Sequence, residues 1–84
     1  MYWVYILQCG DGTLYTGITT DIPRRLRQHG SGKGAKYTRS RLPVVLRYQE
    51  GPMDKSEALR RELEIKKMPR GEKLRLIHRN ESVL

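Results

Sequence analysis

The stretch MYWVYILQCGDGTLYTGIT, Met1 to Thr19, decides the fold. Residues 1–8 are rich in Tyr, Trp, Val, Ile and Leu, the composition of a strand. Residues 13–19 read as a second strand. Between them, Gly10-Asp11-Gly12 suits a three-residue hairpin loop, with Gly12 in the left-handed region that glycine enters without steric cost. The loop length sets the register, and register decides which side chains share a face. Cys9 then pairs with Thr13, Leu7 with Tyr15, and Tyr5 with Gly17. One face carries Trp3, Tyr5, Leu7, Thr13, Tyr15 and Thr19, and the other Val4, Ile6, Leu14 and Ile18. The aliphatic face reads as core and the mixed face as a groove.

Beyond the hairpin, Thr20 or Asp21 caps a helix with Pro23 in its first turn, running to about His29 and stopping at Gly30. Gly30 to Lys36 is a glycine-rich basic loop. Leu42 to Gln49 reads as a third strand, opened by Pro43. Asp54 and Glu57 form a capping box for a helix reaching about Met68. Pro69 permits a last helix to about His78, and residues 79–84 are expected to form a flexible tail. No repeat or linker interrupts the pattern. Residues 1–84 are expected to be one domain with its core at 2–77.

A chain of 84 residues buries only about 60–65% of its unfolded surface, so its core is small. A single cysteine, Cys9, excludes an internal disulfide and a cysteine-based zinc site. No apolar run approaches the ~20 residues of a membrane span, and no signal-peptide core is present. The expectation is a complete, cytoplasmic chain with no membrane partner.

Charge points to a polyanion. Seventeen Lys and Arg stand against nine Asp and Glu, a formal net charge of +8. Between Ile22 and Gln49 there is no acidic residue, while Arg24, Arg25, Arg27, Lys33, Lys36, Arg39, Arg41 and Arg47 all fall there. Such a one-sign stretch is the electrostatic footprint of nucleic-acid binding, and Arg forks onto phosphate better than Lys. Arg24, Arg27, Lys33, Lys36, Arg39 and Arg41 are the candidate contacts. The loop Gly30-Ser31-Gly32-Lys33-Gly34 lacks the spacing of a P-loop but offers backbone N–H groups to phosphate.

Glu62 is the most informative single residue. On a helical wheel with Ala58 at zero, Ile65 falls at about −20°, Leu59 at about 100°, Leu63 at about 140° and Glu62 at about 40°. A carboxylate inside an apolar arc is costly without a partner. Two readings fit: an ion pair with Lys66, four residues on, or a metal ligand. The basic stretch and the tyrosines tilt the choice to the metal.

Arg25 and His29 share one helix edge and are not needed for packing, which Ile22 and Leu26 supply. Arg25 is suited to gripping a non-bridging phosphate oxygen. His29 suits proton transfer near neutrality, or equally a cap at the helix end, where a cation meets the dipole. Tyr5 and Tyr15 have an ordinary packing role open to them. As bases they need a nearby cation or metal to lower a pKa near 10.

Taken together, these residues resemble the GIY-YIG nuclease superfamily. The first motif of that family falls on Trp3-Val4-Tyr5 and the second on Tyr15-Thr16-Gly17. The segment from Ile18 through Arg25 to His29 is similar to the family helix with its arginine. Gly32 to Thr38 resembles a loop of small bacterial members and of a nuclease subunit that cuts branched DNA. Ala58 to Glu62 matches the segment bearing the metal-binding glutamate. The letters differ from the two signature motifs, but their tyrosines and glycine remain. The resemblance covers about residues 2–77.

It implies an α/β (α+β) sandwich, a three-stranded antiparallel sheet flanked by helices. It also implies one Mg²⁺ or Mn²⁺ ion held by Glu62, with Arg25 on the scissile phosphate. Tyr5 is then the general base, assisted by Tyr15 and His29. The expected activity is metal-dependent endonucleolytic hydrolysis of DNA, branched or damaged DNA being the candidate substrates and DNA repair or recombination the candidate setting. Many members carry a separate targeting domain, so a protein partner for targeting is also expected. The competing reading is a nucleic-acid-binding module without catalysis, acting with partner proteins. A small RNA-associated protein is a third, although no RNA-binding motif is recognisable.

Overall fold

The computed structural model describes residues 1–82, apart from the side chain of Ser82. The aliphatic side of the hairpin organises it. Strand β1 (Tyr2–Gln8) pairs antiparallel with β2 (Leu14–Thr19), with Leu7 opposite Tyr15 and Tyr5 opposite Gly17. The Cys9 N–H donates to the Thr13 carbonyl at 2.8 Å, and Gly12 turns the chain at φ +86°. That is the register and the glycine conformation the three-residue loop demands.

Strand β3 (Val45–Met53) joins the other edge of β1, so the sheet order is β2-β1-β3. Four helices complete the chain: α1 (Ile22–Gly30), α2 (Lys36–Arg39), α3 (Lys55–Lys66) and α4 (Arg70–Ser82). Val4 and Ile6 meet Ala58 and Ile65 of α3, Ile77 of α4 and Tyr48 of β3 in one buried cluster. Leu14 and Ile18 pack against its edge. The result is a three-stranded antiparallel sheet in an α/β sandwich.

The central strand is buried on both faces: Val4, Tyr5, Ile6 and Leu7 are all buried. The mixed face of the hairpin is therefore not an open groove. Ile22 and Leu26 of α1, with Leu46, lie against Tyr5 and close it. Helix α1 starts where Asp21 accepts from the Arg24 N–H at 3.1 Å, with Pro23 in the first turn. Asp54 caps α3 by accepting from the Glu57 N–H at 2.8 Å.

Three boundaries differ from the sequence reading. Strand β3 begins at Val45, not Leu42, and runs on through Pro52 to Met53. Residues 41–43 instead pack over the hairpin turn, where the Gly10 N–H donates to the Arg41 carbonyl at 2.7 Å. A Cβ at Gly10 would lie 2.5 Å from the Leu42 oxygen, so glycine is required there. Pro52 is tolerated because β3 is an edge strand, where a missing N–H costs no ladder bond. The extra helix α2 begins at Lys36, where the basic loop ends, and has no side-chain cap and no apolar period to betray it. Helix α4 continues past His78 to Ser82, so the expected tail is helical over most of its length, and residues 83–84 lie outside the described residues.

The apolar arc of α3 is narrower than the wheel implies. Ala58 and Ile65 are fully buried, but Leu59 is 46% and Leu63 55% exposed. A sheet with strands ~4.8 Å apart offers two helices little width each, so α3 touches along one line. A bidentate contact fixes that line from the side. The Arg61 Nε donates to both Glu50 oxygens at 2.9 and 3.1 Å, and the Tyr48 hydroxyl donates to the same carboxylate at 2.6 Å. Burial and that carboxylate push the Tyr48 phenol up to about 12.

Two stability tests follow from this packing. Ile65→Ala is expected to cost roughly 2–5 kcal/mol, while Leu63→Ala stays within about 0.5 kcal/mol in urea unfolding. Equal losses would restore the wider arc. Thr16 is buried on the aliphatic face, and its hydroxyl has no partner among the described residues. Thr16→Val removes that unpaired group at nearly constant shape, so the unfolding free energy should rise by about 1 kcal/mol. A fall would mean the hydroxyl is satisfied in solution.

Candidate functional site

Burying the Tyr5 ring on the α1 side leaves its hydroxyl with a requirement: a phenol away from water needs hydrogen-bond partners. Helix α1 brings two. The Tyr5 hydroxyl oxygen lies 3.0 Å from His29 Nε2, and the Arg25 Nε donates to it at 3.4 Å. Arg25 and His29 reach the same oxygen because they are one helical turn apart. Arg25 is steadied by Nη1, which donates to Gln28 Oε1 at 3.0 Å.

The other ring nitrogen of His29, Nδ1, lies 2.8 Å from Thr38 Oγ1 of α2. The Thr38 hydroxyl donates to the Ala35 carbonyl at 3.0 Å. Tyr5, His29 and Thr38 are all buried. Two glycines make room for this chain. A Cβ at Gly17 would stand 2.6 Å from the Tyr5 hydroxyl, and one at Gly34 would stand 2.3 Å from His29 Nδ1. The glycine-rich loop is thus a seat for an imidazole as well as a basic segment.

Aromatic rings continue the site outward. The Tyr15 ring centroid is 6.5 Å from that of Tyr5 and 5.5 Å from that of His29. Tyr37 stacks on Tyr15 at 6.0 Å, and the Arg41 guanidinium lies 3.9 Å from the Tyr37 centroid. Arg41 also pairs with Asp11 at 3.2 Å. Of the two tyrosines, Tyr5 is the one whose oxygen joins Arg25 and His29.

Burial sets the protonation states. It raises the Tyr5 pKa, opposed by the hydrogen bond and charge of Arg25, while the Tyr15 and Glu62 charges add to the rise. Burial lowers the His29 pKa, and the Arg25 charge lowers it further. The resting pair is a phenol and a neutral imidazole. Glu62 is thus near enough for its charge to act on Tyr5. Its side chain is 20% exposed, and Oε2 lies 3.3 Å from Lys66 Nζ. The sequence left an ion pair and a metal ligand open at this residue, and the pair is present.

The structure gathers Tyr5, Tyr15, Arg25 and His29 into one contact network, while Glu62, on α3, pairs with Lys66. Of the candidate phosphate contacts, Arg24, Arg27, Lys33, Lys36 and Arg39 are exposed, on α1, the loop and α2. Arg41 is half-buried and engaged by Asp11 and Tyr37. Sequence reasoning passed over Thr38, Tyr37 and Gly34, whose parts depend on partners distant in the chain.

Because His29 is held neutral, its ring is expected to titrate below the ordinary histidine value of 6.5. The unfolded chain then takes up this proton first. Stability is complete above 6.5 and declines as pH falls from there toward the folded value. Ring proton shifts followed by NMR against pH check this, and a midpoint at or above the ordinary value would refute it.

Comparison with known proteins supplies the family. A family model described as the GIY-YIG catalytic domain matches residues 1–74. A UPF0213 protein of Halobacterium salinarum is 55% identical over 73 residues, covering 87% of this chain and 95% of that protein. One of Streptococcus agalactiae is 56% identical over 81 residues, covering 94% of this chain and 92% of the relative. The solution NMR structure of a UPF0213 protein from Bacillus halodurans shares 49% identity at a TM-score of 0.60, covering 93% of this chain and 84% of that one. An E. faecalis protein solved by the same method shares 39% identity at a TM-score of 0.64, covering 95% and 85% of the two chains. Together with the paired tyrosine motifs, the arginine-bearing helix and the three-stranded sheet, these matches place the chain in the GIY-YIG domain family, a family of nucleases.

Proposed function

We propose that this protein is a divalent-metal-dependent endonuclease that hydrolyses phosphodiester bonds of DNA. The observation that carries the reading is the hydrogen-bonded chain Arg25–Tyr5–His29. A polyanionic substrate suits the exposed Arg24, Arg27, Lys33, Lys36 and Arg39, which flank this chain on α1, the loop and α2.

The donor set fits magnesium or manganese and not a protein-enclosed zinc. Among the described residues no three His, Cys, Asp or Glu side chains cluster. Magnesium is commonly held through one or two carboxylates plus waters and substrate phosphate. Glu62 is half-buried, with one oxygen turned to Lys66, and is the residue to hold such an ion. Held there, a divalent ion would supply positive charge to the phosphodiester.

The chain's own residues account for the rest. Arg25 presents its guanidinium to a non-bridging phosphate oxygen, where charge grows in the transition state. Tyr5 is too weak a base as a resting phenol, because burial holds its proton on. It takes the proton of the attacking water as it hands its own to His29 Nε2, 3.0 Å away. Water adds to phosphorus, one P–O ester bond breaks with its electron pair going to the leaving oxygen, and that oxygen takes a proton from solvent while His29 returns its own to solvent, giving a phosphate monoester and an alcohol. The neutral state of His29 is what lets it receive that proton. Tyr15 packs on both rings and keeps them in place.

The Glu62–Lys66 pair favours one other reading, a nucleic-acid-binding module with Glu62 as a surface ion pair. One experiment separates the two. Purified protein, with and without Mg²⁺ or Mn²⁺, is given single-stranded, duplex and branched DNA. Metal-dependent products are expected, with Glu62→Ala, Arg25→Ala and Tyr5→Phe each losing about 10²-fold or more in turnover. Salt-sensitive binding should survive in Glu62→Ala. Intact binding with no cleavage in any protein, or cleavage indifferent to Glu62, would remove the nuclease reading.

A further inference from the structure

The buried chain that runs through His29 has fixed ends. Arg25 can only donate and the Ala35 carbonyl can only accept. Between them stand three groups with one exchangeable proton each: the Tyr5 hydroxyl, the neutral imidazole of His29 and the Thr38 hydroxyl. Thr38 gives its single proton to the Ala35 carbonyl at 3.0 Å. Its oxygen is then left to accept from His29 Nδ1 at 2.8 Å, so the ring proton sits on Nδ1. Nε2 is left with a lone pair, and the Tyr5 hydroxyl donates into it at 3.0 Å. The Tyr5 oxygen in turn accepts from Arg25. The opposite tautomer would aim two donors, Arg25 and Nε2–H, at the Tyr5 oxygen and strand the phenolic proton.

We infer that Thr38 is a positioning residue: its hydroxyl locks His29 as the Nδ1–H tautomer and thereby keeps Nε2 open to the proton of Tyr5. The lock rests on the nuclease reading only for its use in turnover; the tautomer itself stands on geometry. Thr38 touches neither substrate nor phosphate in this scheme and acts through the imidazole. Three further features serve the lock. Thr38 is fully buried, so water does not compete for Nδ1. Gly34 lets the loop close on the ring, since any Cβ there would overlap Nδ1. Helix α2 turns at Ala35, placing the accepting carbonyl three residues before the hydroxyl.

The tautomer is read directly by long-range proton–nitrogen NMR of the ring nitrogens in ¹⁵N-labelled protein near neutral pH. The chain has two histidines, and His78→Gln assigns the signals. Wild-type His29 is expected to carry its proton on Nδ1. Thr38→Val should shift the ring toward the Nε2–H form, and Thr38→Ser should restore it. Should Thr38→Val not fold, Thr38→Ala takes its place, removing the hydroxyl without adding bulk. In cleavage assays the hydroxyl-less variant should lose about 10²-fold in turnover at unchanged DNA affinity, with Thr38→Ser recovering it. A wild-type ring protonated on Nε2, or an Nδ1–H tautomer that persists without the hydroxyl, overturns the lock. A wild type that binds but does not cut DNA, with a Thr38-dependent Nδ1–H tautomer, supports the lock and refutes the nuclease reading instead.

Discussion

The hydroxyl of Tyr5 is the constraint on which the functional half of this molecule depends. Its ring lies on the central strand, which is buried on both faces, so its oxygen needs partners within the protein. An unpaired buried hydroxyl costs roughly 1–3 kcal/mol, and the fold avoids that by bringing α1 across the strand. Arg25 and His29 then meet the oxygen from one helix edge. The His29 ring raises the same problem one step further out, and α2 answers it with Thr38 and the Ala35 carbonyl. A requirement that begins as polar satisfaction ends as a continuous chain of hydrogen bonds.

The two faces of the sheet divide the work. The α3–α4 side is a conventional aliphatic core, stitched at its edge by the Arg61–Glu50–Tyr48 contact. That contact fixes α3, and with it Glu62, the next residue along. The α1–α2 side is smaller and polar within. It tolerates polar groups only because each one in the chain has a partner, and because Gly17 and Gly34 withhold the methyl that would push the partners apart. The outermost layer is cationic, and Tyr37 links it to the interior by its contacts with Arg41 and Tyr15.

Much of this was legible from residue order. The hairpin register follows from a loop of three residues, and it places Tyr5 opposite Gly17 before any coordinates are known. Capping by Asp21 and Asp54 follows from residue type and position. The path of residues 41–43 was not legible, because it is set by a close approach to Gly10 from a distant part of the chain. Nor was α2, a four-residue helix without a side-chain cap or period. The wheel of α3 put Glu62 near the buried line but overstated Leu59 and Leu63, since a wheel knows the direction of a side chain and not the width of the surface opposite.

The sequence by itself determined the hairpin pairing of β1 with β2, the capped starts of α1 and α3, the cationic stretch and the candidacy of Tyr5, Tyr15, Arg25, His29 and Glu62. These are local properties: turn geometry, capping, side-chain period and charge. Only the tertiary structure decided which of the two tyrosines has its oxygen joined to Arg25 and His29, that Glu62 pairs with Lys66, and that Thr38 sits against the imidazole. The direction of a hydrogen-bond chain depends on what stands at each end. Here the ends are a guanidinium on α1 and a carbonyl ahead of α2, brought together only when both helices close over one strand.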